Sequence, residues 1–244
     1  MVVMRLYLCE KPSQAKDIAA VLGARRRGDG CWLGTDVTVT WCIGHLLETA
    51  PPDAYDARYK RWVLADLPII PDKWKMTVKP RTASQYKAVK RLLGEASELI
   101  IATDADREGE MIARELVEHC RYRGPIRRLW LSALDEASIR KALAALKPGA
   151  ETFSLYHSAL GRSRADWLIG MNMSRLFTLL GRQSGYQGVL PVGRVQTPTL
   201  RLVVDRDRSI ADFVPVPYWA IDVQLLHDGT PFTAQWRAAA DVCD

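Results

Sequence analysis

Leu99-Ile100-Ile101-Ala102-Thr103-Asp104-Ala105-Asp106-Arg107-Glu108-Gly109-Glu110 passes in one short stretch from an apolar run to alternating acids at the start of a helical pattern. A brief apolar, β-branched run reads as a buried strand, and the acids then fall at a strand-to-helix turn. In open α/β sheets ligands bind beyond the carboxyl ends of the strands, so these acids stand where such folds place their chemistry. Alternate carboxylates there can share Mg²⁺, a hard cation that takes oxygen ligands and keeps several waters. Gly109 lets backbone approach closely at the turn. Acids also suit a helix's first turn through the helix dipole, so any one of them has a second explanation.

Working outward, Met4-Arg5-Leu6-Tyr7-Leu8-Cys9 reads as a second short buried strand that ends in Glu10-Lys11-Pro12-Ser13. Pro12 closes the strand, Ser13 caps a helix over Gln14–Leu22, and Gly23 stops it. Glu10 and Lys11 therefore also sit at a strand's carboxyl end. If the two strands are parallel neighbours, Glu10 meets the Asp104/Asp106 pair as a general acid/base or a further metal ligand.

The remaining pattern up to about residue 150 alternates strand and helix. A turn at Arg25–Gly30 precedes a hairpin, Cys31–Leu33 and Val37–Cys42. A long irregular segment runs from Gly44 to about Pro80, and its Tyr55, Tyr59, Trp62 and Trp74 can anchor it. Helix Thr82–Leu93, strand Leu99–Thr103, helix Glu108–Cys120 and strand Ile126–Trp130 follow. A helix capped by Ser132 or Asp135 then ends near Lys147-Pro148-Gly149. Such alternation predicts an α/β fold with a mostly parallel sheet flanked by helices. Beyond Glu151 the pattern turns helical, over Thr152–Asn172, Ser174–Arg182 and from Pro198 to about Ile210. Trp219–Leu226 and Phe232–Trp236 then read as the opening strands of a β region.

The chain has 244 residues, 48% hydrophobic and 25% charged, with a net charge of +6. That is ordinary soluble-globular composition, and no stretch approaches the ~20 apolar residues of a membrane span. Glu10 and Lys11 interrupt the amino-terminal strand too early for a secretory signal. Cys9, Cys31, Cys42, Cys120 and Cys243 show no C-x-x-C spacing and read as reduced thiols, neither a disulfide framework nor a zinc ribbon. From His157 to Arg201 the charges are Arg162, Arg164, Arg175, Arg182, Arg194 and Arg201 against Asp166 alone. Arginine suits bidentate phosphate contact, and Trp167, Phe177 and Tyr186 interleave with it. Cationic groove plus aromatic platforms is the pattern for single-stranded nucleic acid, although helical spacing also suits some of these aromatics to a core.

Glu10-Lys11-Pro12-Ser13, Ile43-Gly44-His45-Leu46 and Asp104-x-Asp106-Arg107-Glu108-Gly109-Glu110 together resemble a TOPRIM domain. Gly188-Val189-Leu190-Pro191-Val192-Gly193-Arg194-Val195-Gln196-Thr197-Pro198 resembles the DNA-gripping segment of type IA topoisomerases. Pro52-Asp53-Ala54-Tyr55 through Arg61-Trp62, with Leu67-Pro68-Ile69-Ile70-Pro71, is similar to the bacterial topoisomerase III branch. The resemblance covers nearly the whole chain. It implies a TOPRIM domain over 1–150, a helical DNA-gripping region over 151–212 and the start of a further β-containing domain over 213–244. It further implies a bacterial, cytoplasmic, nucleoid-associated monomer that acts on single-stranded DNA without a membrane or a nucleotide.

In that family a tyrosine attacks a phosphodiester, giving a transient 5′-phosphotyrosyl link, and a second strand passes before resealing. Carried over by motif, Asp104, Asp106 and Glu108 hold Mg²⁺. Glu10 is the acid/base and a further ligand, and Lys11 stabilises the scissile phosphate. The DNA contacts become Trp62, Trp167, Arg175, Arg182, Pro191, Val192, Gly193, Arg194, Val195 and Gln196. Ala105 stands where the family often has proline, and Pro191 where it commonly has serine, which removes a hydroxyl and a backbone donor. The family's nucleophile lies in a Tyr-x-Arg-Ser-Asp context. None of Tyr7, Tyr55, Tyr59, Tyr86, Tyr122, Tyr156, Tyr186 and Tyr218 has that surrounding, so the chain is expected to be an amino-terminal portion, inactive alone. The alternative is a stand-alone TOPRIM protein, either a DNA-binding module or a nuclease/primase-type enzyme.

Overall fold

The computed structural model describes residues 4–236. In chain order the elements are β1 (Arg5–Cys9), α1 (Pro12–Val21), β2 (Arg26–Gly28), β3 (Cys31–Leu33), β4 (Val37–Trp41), β5 (Leu47–Thr49), β6 (Met76–Val78), α2 (Ala83–Glu95) and β7 (Glu98–Ala102). They continue with α3 (Arg107–His119), β8 (Ile126–Arg128), α4 (Glu136–Ala144), β9 (Lys147–Pro148), α5 (Phe153–Gln183), α6 (Gln196–Ala211), β10 (Asp222–His227) and β11 (Thr230–Gln235).

Seven strands form one sheet in the order β2-β3-β4-β1-β7-β8-β9. The central strands β4, β1, β7 and β8 are parallel, and the outer β2, β3 and β9 pair antiparallel with their neighbours. Alternate residues of β1 and β7 point to opposite faces, as the pleat demands. Leu6, Leu8, Leu99 and Ile101 pack under α2 and α3 with Val89, Leu92, Ile112 and Leu116. Tyr7, Cys9, Ile100 and Ala102 pack under α1 and α4 with Ile18 and Ile139. Full burial of each large apolar side chain contributes roughly 1.5–3 kcal/mol, which is why these two layers hold the sheet between them.

The order places β4 on one side of β1 and β7 on the other, so the chain changes direction across the sheet at β1. Cys9 pairs with Ala102 in parallel register, and the strand ends that carry Glu10 and Asp104 lie side by side, as the sequence predicts.

Several elements differ from the sequence reading. Pro12 opens α1 rather than closing β1, and Ser13 lies inside its first turn while Lys11 occupies the N-cap position. The turn at Arg25–Gly30 contains β2, which makes the hairpin a three-stranded meander. The irregular segment contains the antiparallel pair β5–β6, with Leu47 opposite Val78 and Thr49 opposite Met76. Three-residue strands separated by a long loop leave no periodic trace in a sequence. Two predicted helices, Thr152–Asn172 and Ser174–Arg182, are one 31-residue helix, α5. Its expected break is bridged by Asn172, whose amide nitrogen donates to Leu168 O and Ile69 O.

The chain forms two compact units, 1–195 and 196–244. In the second, β10 and β11 make a hairpin closed by Asp228 and Gly229, both at positive φ (47° and 76°), a tight turn that glycine favours. The cysteines Cys9, Cys31, Cys42 and Cys120 are free, and Cys243 lies outside the described residues. No described helix is long and apolar enough to cross a membrane.

Candidate active site and nucleic-acid interface

The acidic turn is built by local geometry. Asp106 is the N-cap of α3, and its Oδ1 accepts from the Gly109 N–H at 2.7 Å. Thr103 Oγ1 donates to Gly109 O at 2.8 Å. A Cβ on Gly109 would fall 2.2 Å from Asp104 O, so only glycine permits so tight a turn.

Across the turn, the Asp104 N–H donates to Glu10 Oε2 at 3.1 Å. Lys11 Nζ lies 3.2 Å from Asp104 Oδ2, and Gln14 Nε2 donates to Asp104 Oδ1 at 3.1 Å. Gln14 Oε1 in turn accepts from the Glu10 N–H at 2.8 Å. Burial pushes the Glu10 carboxyl above the ordinary range, opposed by the Asp104 N–H it accepts. A half-buried carboxyl pushed upward in this way, in contact with a second acid's backbone, has the character of a group that exchanges protons.

Below the turn lies a buried charge network. Glu110 Oε1 meets Arg128 Nε at 2.5 Å, and its Oε2 meets Arg114 Nε at 3.1 Å. Arg128 Nη1 donates to the carbonyls of Ile101, Thr103 and Leu129, and Nη2 to that of Asp104. One guanidinium thus ties the end of β7 to β8. Sequence reasoning placed Glu110 in the motif but gave Arg128 no role. Nothing in the Arg127-Arg128 pair distinguishes the buried arginine from the exposed one.

Glu108 contacts a histidine that follows β4. Its Oε1 is 3.0 Å from His45 Nε2, and His45 Nδ1 is 2.9 Å from Glu115 Oε1. Burial lowers the His45 pKa, but the Glu115 and Glu108 carboxylates outweigh it and leave the ring's pKa raised. Glu108 therefore lines a cleft with Arg162, Ser163, Asp166 and Arg194, whereas Asp104 and Asp106 line one with Gln14 and Leu131. Among the described residues no three His, Cys, Asp or Glu side chains already stand together as a metal cage. Asp104 is held by Lys11 and Gln14, Asp106 caps α3 and Glu108 contacts His45. The donor set is nevertheless all hard oxygen. Lys11 on Asp104 already places a cation on the carboxylate, which suits an ion held by one or two acids and otherwise by water and phosphate.

The expected DNA contacts divide by burial. Arg175 is 6% exposed; its Nη1 donates to Tyr59 O at 2.8 Å and its guanidinium lies 5.2 Å over the half-buried Trp62. The pair clamps the loop to α5. Trp167 packs edge-on against Tyr55 and Trp74, at 5.9 and 5.4 Å between ring centroids, and also anchors the loop. Arg182 is exposed. In the following segment Pro191 is exposed, the Val192 N–H donates to Ser174 Oγ, and the Leu190 N–H donates to Thr178 Oγ1. Arg194 makes a two-pronged contact with Asp166 at 2.6 and 3.3 Å. Val192 and Gly193 are half-buried, Val195 is exposed, and Gln196 is the first residue of α6.

Comparison with known proteins adds an independent line. A family model described as Toprim domain matches residues 5–134, and one described as DNA topoisomerase matches residues 150–242. The chain is 46% identical over 244 residues to DNA topoisomerase 3 of Vibrio cholerae, across 96% of this chain and 38% of that protein. It is 45% identical over 248 residues to DNA topoisomerase 3 of Salmonella typhimurium, across 99% and 38%. For DNA topoisomerase 3 of Bacillus thuringiensis the figures are 42% over 221 residues, across 90% and 30%. Among solved structures, full-length topoisomerase I from Thermotoga maritima matches with a TM-score of 0.63 and 26% identity, across 94% of this chain and 34% of that one. The chain thus spans about a third of these proteins.

Proposed function

The chain belongs to the Toprim family, in the bacterial topoisomerase III branch of the type IA DNA topoisomerases, and from that premise we propose that it binds single-stranded DNA and supplies the acidic half-site for ATP-independent cleavage, strand passage and rejoining. The observation that carries this reading is the parallel pairing of β1 with β7, which sets Glu10 and Lys11 against Asp104. Phosphodiester transfer needs a proton delivered to or taken from the sugar oxygen and charge offset on the phosphate. Glu10, whose carboxyl burial pushes upward, is the proton carrier, and Lys11 is the point charge for the phosphate. Asp104, Asp106 and Glu108 are the residues that would hold Mg²⁺, whose contribution when bound is to offset charge on phosphate oxygens. Arg182 and the exposed members of the 191–196 segment offer the strand its contacts, while Trp62, Trp167 and Arg175 shape the wall. We assign residues 1–150 to the TOPRIM domain, 151–212 to the gripping region and 213–244 to the start of a third. The reading includes a monomer working on the bacterial nucleoid in the cytoplasm, with no nucleotide requirement.

Because no tyrosine has the family's nucleophile surroundings, these 244 residues alone should not cut and reseal DNA. The test pairs fluorescence anisotropy on a labelled oligonucleotide with plasmid relaxation in Mg²⁺. Binding without relaxation at stoichiometric protein is expected. Mg²⁺ should also raise the melting temperature by mass action, an effect lost in Asp104→Asn/Asp106→Asn. Relaxation by the chain alone would refute the missing-nucleophile reading, metal-dependent nicking would favour a TOPRIM nuclease, and failure to bind the oligonucleotide would remove the function itself.

A further inference from the structure

The Gly188–Pro198 motif carries a single arginine, Arg194, and in this structure that arginine meets a carboxylate. Its Nε donates to Asp166 Oδ1 at 2.6 Å and its Nη2 to Asp166 Oδ2 at 3.3 Å, side by side on one edge of the guanidinium. That edge is a fork that fits two oxygens of a phosphate as readily as the two of a carboxylate. Asp166 therefore stands, in shape and in charge, where a phosphate would stand. The pair is open to exchange: both side chains are 41% exposed, and exposed ion pairs are weak. The hydrogen bond from Arg194 also holds the Asp166 carboxyl below its ordinary range, so the competitor is an anion at neutral pH.

The backbone around Arg194 is tethered, whereas its side chain is not. The Leu190 N–H donates to Thr178 Oγ1, and the Val192 N–H donates to Ser174 Oγ, which donates back to Val192 O at 3.3 Å. With α5 holding the segment at these two points, Arg194 lines a cleft of about 400 Å³ together with Glu108, Arg162, Ser163 and Asp166. We propose that Asp166 is a positioning residue that occupies Arg194 as a surrogate phosphate until a DNA strand displaces it, and so sets how tightly this cleft takes a phosphate. A carboxylate that merely oriented the arginine would leave the Nε/Nη2 edge to the ligand. Here Asp166 takes that edge itself, and its charge opposes an incoming phosphate as well. Once displaced, it returns to solvent and regains a counterion, which lowers the net ion release that drives strand binding. The inference rests on the single-strand reading above.

The test is anisotropy of a labelled oligothymidylate across a salt series. It compares the full chain with Asp166→Asn, Arg194→Ala and the double variant, each checked for folding by circular dichroism. Asp166→Asn should tighten binding about three- to fivefold at low salt, the upper part of the range that exposed ion pairs span. It should also steepen the slope of log affinity against log salt by up to about 0.7, the share of one phosphate on a single strand. In the Arg194→Ala background the same change should do neither. An equal gain in both backgrounds would make Asp166 a general repulsive charge, and weaker or unchanged binding in Asp166→Asn would make it a support for Arg194. Either result, in a wild type that binds, overturns this proposal and leaves the single-strand reading intact. If the wild type fails to bind but Asp166→Asn binds, both stand; if neither binds, both fall.

Discussion

Arg128 is fully buried, and the single carboxylate it meets, Glu110, is buried with it. Glu110 also holds the buried Arg114, so removing this one carboxylate strands two cations in a medium of low dielectric. Glu110→Gln should therefore lower the unfolding free energy by about 3–5 kcal/mol in urea denaturation, and Glu110→Gln/Arg128→Met, which leaves one stranded cation in place of two, should recover part of it. A double variant no more stable than the single one would show that Arg128 is not a stranded charge. The same guanidinium holds the carbonyls of Thr103 and Asp104. Even a folded Arg128→Lys variant should therefore loosen the acidic turn, because an ammonium cannot span those carbonyls and the carboxylate together. A weakened Mg²⁺-dependent rise in melting temperature would report it.

At the level of elements, α5 separates two kinds of arginine that look alike in sequence. Arg175 is spent on Tyr59 and Trp62, whereas Arg182 is exposed. Arg182→Ala should reduce the slope of log affinity against log salt by about 0.7 for a single strand, the share of one neutralised phosphate. Arg175→Ala should leave that slope unchanged and instead lower the melting temperature by freeing the loop around residues 59–62. A salt slope that falls in Arg175→Ala would return this residue to the strand-binding surface. The contrast marks where sequence reading stops. Core strands β1 and β7 were legible because a short apolar run has few other uses. The capping role of Asp135, whose Oδ1 accepts from the Ser138 N–H, follows from residue type and position. Whether an arginine faces solvent or a loop more than a hundred residues away does not, since the contact depends on the packed fold.

On the scale of the molecule, residues 1–195 contain the sheet, both core layers and α5, and residues 196–244 form a unit of their own. Truncation to 1–195 should leave the main unfolding midpoint within about 3 °C, the shift that roughly 1 kcal/mol produces at this size. A larger loss would mean that the units unfold as one. The convergence of Glu10 with Asp104 was legible at this scale, because parallel strands of an α/β unit bring their carboxyl ends together. The scattering of Glu108 toward His45 was not. That contact spans 63 positions and needs the loop after β4 to fold back over α3.

β1 precedes both of its neighbours in the chain, yet it is the middle strand of the sheet and lies between two strands made later. Its neighbour β4 follows within about 30 residues, but β7 begins only at Glu98, about 90 residues after Cys9. At cellular synthesis rates that interval is on the order of ten seconds. During it one edge of β1 presents unpaired backbone N–H and C=O groups, and Leu6 and Leu8 on its face lack the Leu99 and Ile101 side chains that later pack beside them. A nascent chain stalled before residue 98 would thus expose an unpaired strand edge flanked by apolar faces, the natural target for a chaperone or for a second nascent copy. The crevice that gathers Glu10 and Asp104 is sealed only when β7 slots in.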